Sequence, residues 1–189
     1  LLDWAETKER DDIDLVISVL NEKIYRQDFI ERIPLGILNL HPAPLPFYRG
    51  GNSYAHALME GDSRYGVTVH YVDSGIDTGP IVEVRWFDIG SQTTGKQLYD
   101  QSQPVARQLF LDRLPEIIEA GLEGRRVPSK SQREEQARYF TRTSLEQKQV
   151  APDWPRQKIY DFVRALDFPP FEPAFLESGE HKVYLKIYG

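Results

Sequence analysis

Asn39 and His41 stand two residues apart at the end of an apolar run, Gly36-Ile37-Leu38-Asn39-Leu40-His41. Residues two apart on a strand share a face, so both side chains can point the same way. An imidazole beside a carboxamide sets an acid or base next to a hydrogen-bond donor, a pair able to hold a developing oxyanion. Asp77, flanked by glycines in Asp73-Ser74-Gly75-Ile76-Asp77-Thr78-Gly79, can orient the histidine or take a proton. A plainer use stands beside this one, since polar groups at strand ends often only satisfy backbone donors and acceptors.

Other candidates point to less chemistry. His56 reads as a helical, partly packed histidine, His70 as a core histidine paired within a strand, and His181 as a solvated turn residue. No two histidines have metal-ligand spacing on one element, so no metal site is expected. Asp73 to Asp77 falls short of a calcium loop. No glycine-rich phosphate loop is present, and Ser74 lacks the strand–turn–helix setting of a serine nucleophile. The 189 residues contain no cysteine, which excludes disulfides and thiolate chemistry. Acids outnumber bases 29 to 23, a net charge of -6, which argues against a broad nucleic-acid surface. Arg125, Arg126, Lys130 and Arg133 read as a solvated linker. No apolar run is long enough to span a membrane.

The elements that must position these residues alternate between strand and helix. Ile13 to Leu20 is β-branched and reads as a strand buried on both faces, and Gly36 to His41 as a second. Asp28 to Arg32 reads as a helical turn. Pro42, Pro44 and Pro46 impose an extended loop to Gly51. Asn52 is placed to cap a helix ending at Glu60, with Gly61 beyond. Tyr65 to Val72 and Ile81 to Ile89 read as strands. Thr94-Gly95-Lys96-Gln97 fits a capping box opening a helix to Gly121, with a kink or break expected near Ser102 from Pro104. Ile159, Phe162, Val163 and Leu166 form one stripe of a further helix after Asp153-Trp154-Pro155. Ala174 to Glu177 and Lys182 to Tyr188 read as a hairpin. The pattern predicts an α/β sheet, with chemistry beyond the strand ends.

The stretch Leu38-Asn39-Leu40-His41-Pro42-Ala43-Pro44-Leu45-Pro46 followed by Tyr48-Arg49-Gly50 resembles the signature of the folate-dependent formyltransferases. Its second half is present in order, as Gly66-Val67-Thr68-Val69-His70 and then Asp73 to Ile81. The resemblance implies a triad of Asn39, His41 and Asp77. It implies that the co-substrate 10-formyltetrahydrofolate lies against Asn21, Glu22, Lys23, Ile24 and Tyr25 and against Asp73, Ser74, Gly75 and Ile76, with no metal. The family's usual Ser-Leu-Leu-Pro after the histidine is Ala43-Pro44-Leu45-Pro46 here, in a loop near the acceptor, which suggests a reshaped acceptor site.

Family members carry about three strands before the one placed at Ile13. The resemblance therefore implies the C-terminal half of a Rossmann-like domain with a mostly parallel sheet over 1–124. A linker over 125–138 and the start of a small C-terminal α+β domain over 139–189 follow. Trp154 and Val163 to Pro169 carry that last likeness. A sheet without its first strands exposes an edge, so a homodimer is one expectation. The expected activity is formyl transfer to an amine in the cytoplasm, without membrane attachment. The acceptor expected from the acidic charge is a nucleotide-linked amino sugar, with Arg49 and Lys23 as candidate phosphate partners, and tRNA is the less favoured acceptor. Methionyl-tRNA formylation, hydrolysis of the formyl donor and a non-catalytic binding module remain as alternatives.

Overall fold

The computed structural model describes residue 10 and residues 12–19 and 24–187. Four strands form one sheet in the order β1 (Val16–Val19), β2 (Ile37–His41), β4 (Arg64–Tyr71) and β5 (Ile81–Asp88). β1 runs parallel to β2, whereas β2–β4 and β4–β5 are antiparallel. The α/β architecture matches the expected class. In this four-stranded sheet β1–β2 is the parallel pair, and the loop of residues 72–80 turns β4 back into its antiparallel neighbour β5.

Side-chain alternation divides the two faces. On one face Leu38 and Leu40 of β2 and Val67, Val69 and Tyr71 of β4 pack with Ala106, Leu109, Ile117 and Ala120 of the long helix α3 (Gly95–Leu122). The capping box forms as read: Thr94 Oγ1 accepts from Gln97 N at 3.3 Å and Gln97 Oε1 from Thr94 N at 3.0 Å. The expected break at Pro104 is absent, and the helix runs on through Pro104 and Pro115. Ser102 Oγ donates to Tyr99 O at 2.7 Å in the turn the proline disturbs.

β1 departs from its reading. Of its residues only Ser18 is buried, while Ile17 and Val19 are 38% and 50% exposed. It pairs with β2 alone, so a β-branched run that resembles a doubly covered strand lies at the edge of the described sheet. Leu20 falls outside the described residues.

Helix α1 (Gln27–Arg32) buries Phe29 beneath this edge. After the proline loop, the two-residue strand β3 (Arg49–Gly50) leads to helix α2 (Ser53–Met59). Asn52 occupies the position before that helix at φ 58, but makes no side-chain cap. Its Nδ2 donates instead to Arg142 O at 2.9 Å.

The stretch read as a linker is docked on the domain. Lys130 exchanges backbone hydrogen bonds with Ile81, each 2.8 Å, and Val127 is buried against Tyr71. A 3-10 turn (Glu134–Gln136) then leads to strand β6 (Tyr139–Phe140), which pairs in parallel with β3. Helix α4 (Arg156–Leu166) places its apolar stripe with Val150, Ala174 and Leu176. The hairpin β7 (Phe175–Ser178) and β8 (His181–Tyr184) follows as expected. Tyr188, the expected end of that hairpin, lies outside the described residues.

Leu109 is wholly buried beneath β2 and β4. Leu109→Ala should cost about 2–5 kcal/mol, the range for a buried leucine whose cavity cannot collapse. Urea unfolding measures it, and a loss below about 1 kcal/mol would contradict this core assignment.

Candidate active site

The register of β2 against β4 sets Asn39 opposite His70 and His41 opposite Thr68. All four side chains share the face away from α3, because β-strand side chains alternate with period two. Thr68 is spent on the loop, accepting from Leu45 N at 3.0 Å and donating to Ala43 O at 2.7 Å. It thereby fastens the proline segment over the strand end. A register shift between Val69 and His70, where β4 meets β5, sits beside the third polar residue. Such irregularities re-aim side chains near functional sites.

His70 belongs to the cluster as fully as the residues singled out from sequence. Its Nδ1 lies 2.8 Å from the carbonyl of Tyr71, an acceptor, so Nδ1 carries the hydrogen. Nε2 is then the acceptor facing Asn39 Nδ2 at 3.2 Å, which settles both the tautomer and the orientation of the amide. Burial first, and then the neighbouring His41, push the His70 imidazole down from its ordinary 6.5 to about 4, against the opposing charge of Asp77. Neutral His70 is thus a fixed acceptor that holds the Asn39 amide. The signal lay in the sequence as histidine on the strand register opposite asparagine, but that register is not readable from one strand alone.

His41 is buried, with Nε2 2.9 Å from the carbonyl of Tyr48 and Nδ1 3.6 Å from Asp77 Oδ2. Tyr48 is itself anchored: its ring stacks on Phe140 at 5.7 Å and its hydroxyl donates to Asp62. Burial and then the bond to Asp62 push the Tyr48 phenol up, so it stays protonated.

Asp77 arrives from the β4–β5 loop at φ 57, a left-handed conformation that aspartate tolerates better than most residues. Oδ2 accepts from Gly50 N at 2.9 Å, and Oδ1 lies 3.7 Å from His70 Nε2. One carboxylate therefore faces both imidazoles. Two glycines permit close backbone packing on either side of it. A Cβ on Gly50, at φ +86, would lie 2.2 Å from the Phe140 carbonyl oxygen, and one on Gly79 would lie 1.9 Å from that of Tyr71.

Asn39, His41, His70 and Asp77 line one wall of a cavity of about 1000 Å³. Ile24, Tyr25, Val72 and Ile76 give it an apolar flank, and Asn52, Tyr54, Tyr139, Phe140 and Arg142 form further wall. Of the residues expected against the co-substrate, Ile24, Tyr25, Asp73, Gly75 and Ile76 line this space and Ser74 does not. Asp73 Oδ1 is engaged within its own loop, accepting from Gly75 N at 3.1 Å and from Thr78 Oγ1. Asn21, Glu22 and Lys23 lie outside the described residues. Asn39 Oδ1 is buried without a partner among the described residues.

Arg49 does not serve as expected. It is buried, donating to Glu134 at 2.7 and 3.0 Å and to Gln132 at 2.8 and 3.0 Å, which commits its charge to the protein. The basic side chain on the cavity wall, among the described residues, is Arg142. His56, outside the cluster of Asn39, His41, His70 and Asp77, stacks on Phe140 at 3.9 Å and meets Ser144 Oγ at 2.7 Å.

A family model described as formyl transferase matches residues 3–114. The chain is 34% identical to a GDP-perosamine N-formyltransferase of Brucella melitensis, over 92% of this chain and 64% of that protein. It is 33% identical to a methionyl-tRNA formyltransferase of Symbiobacterium thermophilum, over 93% of this chain and 51% of that protein. It thus spans about half to two thirds of the length of these curated relatives. In structure it resembles an N-formyltransferase of Helicobacter canadensis solved with folinic acid and dTDP-3-aminofucose. That match has a TM-score of 0.80 and 22% identity, covering 97% of this chain and 65% of the other, a likeness of fold.

The depressed value of His70 has a sign that can be tested. Between pH 6.5 and about 4 the unfolded chain binds a proton there that the folded protein refuses. The stability this contributes is complete above 6.5 and is lost as pH falls through that window. The melting temperature should therefore drop on acidification, and His70→Gln, which cannot titrate, should flatten the drop. Parallel melting curves for the two proteins would refute the neutral, buried assignment.

Proposed function

The chain belongs to the formyl transferase family, and from that membership we propose that it moves a formyl group from 10-formyltetrahydrofolate to the amine of a nucleotide-linked amino sugar. The observation that carries the reading is the convergence of Asn39, His41 and Asp77 on one wall of a single cavity. Its volume, about 1000 Å³, is at the upper end for small-molecule sites, room for a donor and an acceptor together. The apolar flank of Ile24, Tyr25, Val72 and Ile76 suits the flat rings of a folate.

The acceptor amine attacks the formyl carbon, and the carbonyl oxygen gains charge as the carbon becomes tetrahedral. Asn39 donates its second Nδ2 hydrogen to that oxygen, the first being held by His70. An amide pinned in advance stabilises charge without reorganising, and a single donor of this kind is worth about 3–4 kcal/mol. His41, with Nε2 at the Tyr48 carbonyl and Nδ1 toward Asp77, stands on the same wall. The attacking nitrogen must lose a proton and the folate nitrogen N10 must gain one as its bond to carbon breaks. The Asp77 carboxylate receives the first and passes it on to N10, directly or through water, so that it ends the cycle ionised, and the gap of 3.6 Å to His41 Nδ1 is of the kind that tightens when reactants bind. Products are the formamide and tetrahydrofolate, with atoms and charge balanced.

The sugar acceptor is supported by the named activity of the Brucella relative and by charge. A tRNA acceptor draws affinity from many phosphate contacts, which a chain of net charge -6 is poorly made to supply. A nucleotide diphosphate needs few, and Arg142 on the cavity wall supplies one cation for it.

In the complete protein, Asp77→Asn and His41→Ala should each lower kcat by about 100-fold or more while leaving the melting temperature near that of the parent. An Asp77→Asn enzyme with parental turnover would remove it from the triad. A panel of nucleotide-linked amino sugars and methionyl-tRNA, each offered with 10-formyltetrahydrofolate, tests the acceptor. A formylated sugar is expected. Formylated methionyl-tRNA alone, or free formate without a formylated amine, would overturn the acceptor assignment.

A further inference from the structure

We propose that Gln132 is a positioning residue for Asp77, locked in place by Arg49 and Glu134, an assignment that rests on the catalytic reading of Asp77 above. Gln132 Nε2 donates to the carbonyls of Asp77 and Gly79, both at 2.8 Å. Its Oε1 accepts from Arg49 Nε at 3.0 Å and from Nη2 at 2.8 Å. Both hydrogens and both lone pairs of the amide are thus used, and a flipped amide would lose all four contacts.

Arg49 is fixed on its other side. Its Nη1 and Nη2 donate to the two carboxylate oxygens of Glu134 at 3.0 and 2.7 Å, a bidentate pair. Those hydrogen bonds, more than simple charge, hold the Glu134 carboxyl below the usual carboxylate range. The Arg49 side chain is only 7% exposed, whereas Glu134 reaches solvent at 72%. The chain of contacts therefore runs from the rim of the protein to the backbone of the catalytic loop.

That backbone needs holding. Asp77 is a non-glycine residue at φ 57, a conformation that persists only where the surroundings over-determine it. Asp73 fastens the front of the loop through Gly75 and Thr78, and Gln132 fastens the back. Gly50 N, which binds the Asp77 carboxylate, belongs to the same strand that carries Arg49. One strand thus aims the carboxylate through its backbone and, through the arginine, secures the glutamine that aims the main chain. Gln132 is not itself among the residues lining the cavity and reaches it through Asp77, so its action passes through that residue. It also lies beyond residues 3–114, the part matched by the family model.

A carboxylate misplaced by about 1 Å can cost on the order of 100-fold in rate. Gln132→Met keeps the length and removes every polar contact. Gln132→Glu keeps an acceptor for Arg49 and loses both donors to the loop. In the complete protein each should lower kcat by about 10–100-fold, with KM for donor and acceptor within about twofold and melting temperature nearly unchanged. Glu134→Gln, which keeps a neutral acceptor for Arg49, should fall between these and the parent. A second measurement needs no turnover: the ¹⁵N resonances of the His41 and His70 imidazoles should move in Gln132→Met in the direction that Asp77→Asn moves them. Parental kcat in both Gln132 variants, or imidazole resonances unmoved in Gln132→Met while Asp77→Asn shifts them, would overturn the proposal. Absence of transfer by the parent protein would instead defeat the functional reading, and the resonances would still decide the positioning.

Discussion

β2 lies against β4 with Asn39 opposite His70, and the site and the core both follow from that one register. A strand presents alternate residues to opposite faces, so the register that aligns Asn39, His41 and His70 also turns Leu38, Leu40, Val67 and Val69 onto α3. A slip of β2 by one residue would bury Asn39 and His41 under the helix and turn Leu38 and Leu40 into the cavity. The two demands are met by the same hydrogen bonds. The apolar face fixes the pairing through burial, and the polar face inherits a geometry it could not enforce for itself.

The electrostatic arrangement grows from that pairing. Two imidazoles whose ring centres are 6.2 Å apart would repel if both were charged, and burial makes the cost larger. The fold resolves this by keeping one of them neutral. His70 spends Nδ1 on its neighbour's carbonyl and Nε2 on Asn39, while His41 turns its Nδ1 to Asp77. The roles of two identical side chains are thus separated by their backbone surroundings.

The strands, the capped helix and the strand-end placement of Asn39 and His41 were legible in the sequence because each depends on local pattern. Thr94 and Gln97 meet across one helical turn, and Asn39 and His41 across one strand repeat. What was not legible depends on distant pairing. The charged stretch after Arg125 reads as solvated linker, yet Val127 is buried and Gln132 holds the loop of Asp77. Arg49 reads as a cation available to phosphate, and its partners lie more than 80 residues further along the chain. Asn52 has a capping residue's position, but Arg142 offers its amide a better partner. The exposure of β1 depends on how many neighbours a strand has, which its own composition does not encode.

The short parallel bridge between β3 and β6 has a consequence for when the site comes into being. Arg49 and Glu134 are 85 residues apart, and Arg49 also binds Gln132, whose amide holds the Asp77 main chain. At a synthesis rate of about 5–20 residues per second, roughly 4–17 s separate the emergence of Arg49 and Glu134. During that interval the strands and their histidines exist without the segment that completes them. The nascent chain therefore acquires its sheet first and the full lining of its cavity only as the later segment folds back, a temporal order written into the topology.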